Sequence, residues 1–224
     1  MTGVARIAPP FVLTDADVHA LGARGWFLRD DLLGRAAAMG VRDAIEALAE
    51  AGRLRPAGLG RGAARRVDEV VRSDTVAWVT PEDTPAEVAG LWASFLALRD
   101  ALNREAYLGL DLMEVQAARY PGGASGYRRH RDAFAALPGA RPSRRATAIY
   151  YANPDWRPAD GGALRLHPDP GPDTGAGTEP VDVAPVLDRL LVFLSERVEH
   201  EVLPTRAPRR AITAWFRPRD PLGG

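Results

Sequence analysis

The chain contains no cysteine and no lysine, and these two absences exclude several classes of chemistry. Without cysteine there are no disulfides, thiolate metal ligands or cysteine nucleophiles, so any metal ion must be held by imidazole nitrogen and by oxygen. Without lysine there is neither a Walker A loop nor a Schiff base. All 29 basic residues are therefore arginine, a composition that indicates the codon usage of a GC-rich bacterial genome.

The sequence also lacks long apolar runs and an excess of charge of either sign. No stretch reaches the roughly 18 apolar residues of a membrane span, and the first residues lack the apolar segment of a secretory signal. We therefore expect a cytoplasmic protein without a membrane partner. The formal net charge is zero, which argues against a nucleic-acid partner, because that binding draws on excess positive charge. No coiled-coil seam is visible, and we expect a monomer.

The 224 residues suit a single domain with a substantial core. Residues 1–111 are predicted to be mainly helical, with an early strand at 25–30, a helix at 33–51 and another after Thr84, where Thr84 and Glu87 have the spacing of a capping box. Residues 112–217 are predicted to be rich in β-strands, and loops are predicted at 53–66 and 168–180. The pattern indicates an α+β fold with helices packed on one side of a β-rich catalytic core. The predicted strands of that core are 113–120, 146–151, 163–167, 189–194, 201–203 and 210–216.

Four histidines are present, and one of them begins a pattern that suits a metal ion. His130 and Asp132 lie two apart, so in an extended segment both side chains leave the same face of the backbone. A distant histidine would complete the two imidazoles and one carboxylate of non-haem Fe(II) oxygenases. His167 and His200 compete for this place, and we favour His200 because an arginine and a strand that could return to the metal follow it. On spacing alone a structural histidine beside a solvated aspartate is the better explanation. His19 is best explained as a surface histidine or one whose hydrogen bonds are satisfied within the protein.

The pair Arg209 and Arg210 offers a place for a carboxylate. Arginine presents a planar fork that binds a carboxylate through two N–H donors and keeps its proton. If a strand begins here, Arg209, Ala211, Thr213 and Trp215 share one face, while Arg210 begins the other. Periodicity does not decide which of the two arginines points inward.

Six stretches of the chain resemble the 2-oxoglutarate- and Fe(II)-dependent prolyl hydroxylases, in the branch that contains the animal hydroxylases of the hypoxia-inducible factor. They are RYPGGASGYRRHRD, AIYYANPDW, GGALRLHP, DRLLVFLS, HEVLP and RAITAWF, with weaker matches at GWFLRDDLLG and RSDTVAWV. The resemblance covers most of the chain. It implies a double-stranded β-helix (jelly-roll) core with the N-terminal helices packed on one side.

The resemblance also implies roles for individual residues. It places the iron ligands, which are the catalytic residues, on His130, Asp132 and His200. It places the far carboxylate of 2-oxoglutarate on Arg209 and Tyr151. On composition alone the aromatic residues in this set are better explained as core residues; they are Tyr120, Tyr127, Tyr151 and Trp215. The rest of the cosubstrate pocket falls on Tyr120, Ile149, Leu164 and Thr213, and the substrate contacts fall on Tyr127, Arg144, Trp215 and Asp74.

The implied reaction is hydroxylation of a prolyl residue at C4 in a protein or peptide. It would require Fe(II), 2-oxoglutarate and O2, with ascorbate as a candidate reductant, and would proceed through a ferryl intermediate with release of succinate and carbon dioxide. Elongation factor Tu is the first candidate target, because bacterial members of the branch are thought to act on it. Two alternatives stay open: hydroxylation of a free amino acid or small natural product, and a non-catalytic metal-binding or ligand-sensing module.

Overall fold

The computed structural model describes residues 11–58, 71–133, 143–168 and 179–219, so parts of both predicted loops lie outside the described residues. The helices are α1 (Asp15–Arg24), α2 (Arg35–Glu50) and α3 (Ala89–Ala106). The strands are β1 (Trp26–Arg29), β2 (Arg55–Pro56), β3 (Thr75–Val79), β4 (Leu110–Tyr120), β5 (Ser125–His130), β6 (Ala146–Tyr151), β7 (Leu164–Pro168), β8 (Val181–Val183), β9 (Arg189–Leu194), β10 (Val198–Thr205) and β11 (Arg209–Pro218).

The strands form two antiparallel sheets that share a core. The larger sheet has the order β1-β9-β6-β11-β4-β3-β2, and the smaller has the order β5-β10-β7-β8. Residues of both sheets, including Tyr151 and Phe193 from the larger and Leu166 and Val202 from the smaller, meet in one buried cluster. The predicted α+β fold, with a jelly-roll core and helices on one side, is confirmed.

Strand β6 shows how the larger sheet serves two layers. Every residue of β6 is buried. Ala148 and Tyr150 pack in the core shared with the helices, whereas Ile149 and Tyr151 pack in the core between the sheets. This arrangement follows from the two-residue repeat of a strand. The inward side chains of the larger sheet are therefore positioned from behind by the helices.

The helices are held against that sheet by one apolar face on each. Val41 and Ile45 of α2 are fully buried, as are Leu91 and Leu98 of α3. Removing a large apolar side chain from water contributes about 1.5–3 kcal/mol, so a few such residues suffice to dock each helix. None of the helices within the four described ranges is long and apolar enough to cross a membrane.

The start of α3 differs from the prediction. A 3-10 turn at Ala86–Val88 leads into the helix, Pro85 stands at its N-terminal boundary, and no side chain caps it. Thr84 instead donates its hydroxyl hydrogen to Thr80 O. A threonine hydroxyl can bond to a nearby backbone carbonyl instead of capping a helix. The predicted capping box at Thr84 and Glu87 is wrong.

Candidate active site

Two paired strands of the smaller sheet bring His130 and His200 together. His130 ends β5 and is the register partner of His200 in β10, which places the ring centroids 4.3 Å apart. Asp132 follows directly, with Oδ1 3.8 Å from His130 Nε2 and Oδ2 3.8 Å from His200 Nε2. One ligand atom from each of the three residues lies within 4.8 Å of the other two. Two imidazole nitrogens and one carboxylate oxygen therefore converge on one point.

His167, the competing ligand, lies on the opposite face of its sheet. Its register partner is Glu199, whereas the partner of His200 is Leu166. Because neighbouring positions of a strand alternate between faces, His167 points away from the metal ligands. Its Nε2 lies 2.9 Å from Glu201 Oε1. The structure thus brings His200, and not His167, to His130 and Asp132.

The surroundings of the three residues favour the protonation states that bind metal. Burial lowers the pKa of both His130 and His200, so both imidazoles are neutral at neutral pH. Burial alone would raise the pKa of Asp132, but the groups around it, His200 foremost, outweigh burial and lower that pKa. His130 Nδ1 lies 2.8 Å from Arg128 O, which makes Nδ1 the protonated nitrogen and leaves Nε2 for a metal. Neutral imidazole and ionised carboxylate are the metal-binding forms.

Arg209 occupies the same cavity as a buried cation. Arg209 is the first residue of β11 and is only 4% exposed. Nε donates to Gly162 O at 2.8 Å, and the guanidinium carbon lies 5.1 Å from the ring centroids of both Tyr120 and Tyr151. Among the described residues no carboxylate pairs with it, although a buried charge requires an opposite partner. The site is therefore suited to an anion that the protein does not itself provide.

The surroundings of Tyr151 and Arg210 show which of the two adjacent arginines belongs to this anion site. The Tyr151 hydroxyl is buried and finds no hydrogen-bond partner in the described part of the chain. Burial raises the pKa of Tyr151 to about 12, so the hydroxyl keeps its proton and can donate it. Arg210, by contrast, turns to Glu46 of α2 and forms an ion pair there. The arginine that points into the cavity is thus Arg209, which answers the question that periodicity left open.

A cavity of about 800 Å³ joins these parts. All of the site residues predicted from the sequence line it except Tyr151, whose ring centroid lies 5.1 Å from the guanidinium carbon of Arg209. The Arg144 guanidinium lies 3.9 Å above the Trp215 ring, and the exposed Trp78 packs against that ring at 5.8 Å. Asp74 is buried and pairs with Arg72, Oδ1 to Nε, at 2.6 Å. The residues predicted to line the cavity are Tyr120, Tyr127, His130, Asp132, Ile149, Leu164, His200, Arg209 and Thr213, together with Asp74, Arg144 and Trp215.

Comparison with known proteins places this geometry in a family. The family model described as the 2OG-Fe(II) oxygenase superfamily matches residues 115–217. The crystal structure of a Pseudomonas putida prolyl-4-hydroxylase is 33% identical, with a TM-score of 0.76, over 91% of this chain and 98% of that one. The chain belongs to the prolyl hydroxylase family of 2-oxoglutarate- and Fe(II)-dependent oxygenases.

Two further proteins are similar to this chain. A structure from Trichoplax adhaerens, a prolyl hydroxylase in complex with a fragment of the hypoxia inducible factor oxygen degradation domain, is 30% identical with a TM-score of 0.77, over 90% of this chain and 87% of that one. Egl nine homolog 1 of Rattus norvegicus is 32% identical over 212 residues, or 89% of this chain. The chain spans 57% of the length of that rat protein, and 48% and 45% of its mouse and human counterparts. The family resemblance seen in the sequence is confirmed.

Membership of the prolyl hydroxylase family implies Fe(II), 2-oxoglutarate and O2, and the residues present fit these groups. His130, Asp132 and His200 provide the nitrogen and oxygen donors of a facial triad, a set that leaves metal positions open for other ligands. Arg209 pairs with no carboxylate and the Tyr151 hydroxyl has no hydrogen-bond partner among the residues that the structure describes, so both suit a carboxylate ligand. The predicted cofactors therefore agree with the donor set of the site.

Two hydroxyl residues near Asp132 were not predicted from the sequence. Thr147 Oγ1 donates to Asp132 Oδ2 at 2.9 Å and lies 2.8 Å from Ser195 Oγ. Strand alternation could have indicated Thr147, because it shares the inward face of β6 with Ile149 and Tyr151. No pattern in the sequence marks Ser195.

Proposed function

We propose that this chain catalyses the 2-oxoglutarate- and O2-dependent hydroxylation of a prolyl residue at C4 in a protein or peptide. The observation that carries the proposal is one cavity that contains both the His130, Asp132 and His200 cluster and the buried guanidinium of Arg209. Relatives support it, since the Pseudomonas and Trichoplax proteins are prolyl hydroxylases by name and the latter was solved with a peptide.

The proposal gives each part of the cavity a task. His130, Asp132 and His200 hold Fe(II), which with O2 and 2-oxoglutarate supplies the oxidising chemistry. Arg209 binds the far carboxylate of 2-oxoglutarate through two N–H donors, and Tyr151 donates its hydroxyl hydrogen to the same group. The walls around the cosubstrate are Tyr120, Ile149, Leu164 and Thr213.

The substrate is assigned to the end of the cavity beyond the metal ligands. Arg144 stacks on the Trp215 ring there, and Trp78 beside that ring is 55% exposed, so this end of the cavity meets solvent. A prolyl ring and its flanking peptide can pack on such a surface. Tyr127, which stacks on His130 at 3.7 Å, and Asp74 complete the assigned substrate contacts.

Mass spectrometry of modified proteins tests the proposal. The chain, supplied with Fe(II), 2-oxoglutarate, O2 and ascorbate, is incubated with purified elongation factor Tu, the first candidate target, and with a bacterial lysate. We expect one added oxygen atom on a proline and substrate-dependent succinate, with neither in the His200→Ala control. Turnover of a free amino acid without protein modification would favour the small-molecule alternative. Metal and 2-oxoglutarate binding without succinate for any substrate would favour the non-catalytic module.

The oligomeric state, the cellular location and the domain organisation remain predictions. We expect a monomer that acts in the cytoplasm without a nucleic-acid partner. The single-domain organisation, with 1–111 supporting the catalytic region 112–217, stays a prediction of the same kind. Size-exclusion chromatography with light scattering checks the monomer, and a dimer mass would contradict it.

A further inference from the structure

A chain of buried hydroxyl groups stands behind the carboxylate of Asp132. Thr147 and Ser195 are both fully buried, and Asp132 is 7% exposed. Thr147 lies in β6, where its register partner is Phe193 of β9, and Ser195 follows the end of β9. The backbone N–H of Ser195 donates to Arg145 O at 3.0 Å, which fixes the serine beside the threonine. Two adjacent strands of the larger sheet therefore reach Asp132.

The direction of the hydrogen bonds in this chain is determined by counting donors. An ionised carboxylate only accepts, so Thr147 must give its single hydroxyl hydrogen to Asp132 Oδ2. In its 2.8 Å contact with Ser195, the threonine oxygen is then the acceptor and Ser195 is the donor. The chain runs in one direction, from Ser195 to Thr147 to Asp132.

We infer that Thr147, supported by Ser195, is a positioning residue that orients Asp132 for metal binding. With Oδ2 holding the Thr147 hydroxyl, the carboxylate cannot turn freely, and Oδ1 is the oxygen left for the metal. Arg144 Nη1 lies 3.8 Å from Oδ1, beyond the length of a hydrogen bond. The inference rests on the metal site of the proposed function but not on its substrate.

Hydrogen bonds to a metal-binding carboxylate commonly determine affinity. Loss of such a partner lowers metal affinity or activity by about 10–100-fold in characterised sites. In Thr147→Val the isosteric side chain removes the donor to Oδ2 and leaves the buried Ser195 hydroxyl without its acceptor, whereas Thr147→Ser keeps the donor. Ser195→Ala removes the second link only, so its effect should be smaller.

Metal titration of the apo protein tests the inference without any turnover. Metal is removed with a chelator, and Mn(II) binding is measured by calorimetry for the wild type, Thr147→Val, Thr147→Ser and Ser195→Ala. We expect the Mn(II) Kd of Thr147→Val to rise about 10–100-fold, that of Ser195→Ala to rise less, and that of Thr147→Ser to stay near the wild type. Visible absorption of the Co(II)-loaded proteins should change in Thr147→Val, because the carboxylate changes its orientation.

Ser94→Ala is the matched control for the loss of a buried hydroxyl. Ser94 is 8% exposed and donates to Gly90 O at 3.0 Å within α3, so its removal should leave the Mn(II) Kd unchanged. An unchanged Kd in folded Thr147→Val, or equal losses in Thr147→Val and Thr147→Ser, would overturn the inference. If Thr147→Val does not fold, the comparison of Ser195→Ala with Ser94→Ala decides, and equal affinities would overturn it.

The two proposals fail in different ways. Absence of Mn(II) binding in the wild type would contradict the metal site itself. So would Mn(II) binding that persists in His200→Ala. Suppose that the Mn(II) Kd rises in Thr147→Val but the wild type hydroxylates no proline. That result would support the positioning role and contradict the proposed substrate.

Discussion

Arg209 and Arg210 carry the same charge but have opposite surroundings. Arg209 is buried in the cavity with Gly162 O as the acceptor for its Nε, and Arg210 pairs with Glu46 outside it. Loss of a buried partner from a hydrogen-bonded charge pair costs about 2–5 kcal/mol. We therefore expect Arg209→Gln to raise the Kd for 2-oxoglutarate by at least about 30-fold, with Mn(II) binding kept.

Calorimetry of the Mn(II)-loaded protein with 2-oxoglutarate checks this expectation. Arg210→Gln is the matched control, since it removes the same group one residue away and should leave the cosubstrate affinity near the wild type. A larger loss in Arg210→Gln than in Arg209→Gln would show that the anion site has been assigned to the wrong arginine.

The choice between His200 and His167 leads to a second prediction at this scale. His200 contributes one of three donors and His167 faces away from the site. His200→Ala should therefore abolish turnover and lower the bound iron measured by elemental analysis, while His167→Ala should retain both. Full iron content in purified His200→Ala would mean that the three residues do not form the metal site.

The residues that could be predicted are those with a distinctive partner along the chain. His130 and Asp132 have a spacing that one strand explains. Charge marked the pair Arg209 and Arg210, and the family resemblance chose Arg209. Ser195 could not be predicted, because its function depends on a contact with Thr147 from another strand. A hydroxyl residue has no charge or periodicity to mark it, and only the pairing of β6 with β9 brings the two together.

At the scale of elements, burial decided which strands were visible in the sequence. The bounds of β6 and β9 were predicted as observed, because both are apolar strands covered on two faces. Strand β5 reads SGYRRH and was missed, because its two consecutive arginines are both exposed and interrupt any alternation of apolar and polar residues. Strands β2, β3 and β8 are short or partly exposed and were missed as well.

Helix α2 is joined to the larger sheet by Glu46, which accepts from Arg119 of β4 and from Arg210 of β11. Burial alone would raise the pKa of Glu46, but the hydrogen bond from Arg210 and its charge outweigh burial and lower it. The folded-state pKa therefore lies below the unfolded value of 4.5. The stability that this lowering contributes is fully present above pH 4.5 and is lost as the pH falls through the folded-state pKa.

Glu46→Gln should accordingly lower the free energy of unfolding by about 1 kcal/mol at pH 7. The difference from the wild type should shrink as the pH is lowered through the acidic range, because the protonated Glu46 resembles glutamine. Urea unfolding at a series of pH values measures both. Glu50→Gln, at the exposed end of α2, is the control and should change neither. A deficit in Glu46→Gln that stays constant with pH would contradict the role of charge.

At the scale of the whole molecule, the candidate site depends on both sheets staying together. His130 and His200 belong to the smaller sheet, whereas Arg209 and Tyr151 belong to the larger. The sequence indicated one strand-rich region at 112–217 but not how its strands divide between the two sheets. The pairing of β5 with β10 includes register shifts, so counting residues along the chain would not have aligned His130 with His200. The resemblance to the prolyl hydroxylases supplied that link, because its motifs place iron ligands on both His130 and His200.

A site built from both sheets should couple ligand binding to global stability. A ligand that binds only the folded chain stabilises it by about 2.7 kcal/mol at a hundred times its Kd, and each kcal/mol raises the Tm of a domain of this size by about 2–4 °C. We expect Mn(II) at that concentration to raise the Tm of the apo protein by about 5–10 °C, and 2-oxoglutarate to raise it further. Scanning calorimetry should show that Arg209→Gln keeps the metal increment and loses the cosubstrate increment, while His200→Ala loses the metal increment. A full metal increment in His200→Ala would place the ion elsewhere on the molecule.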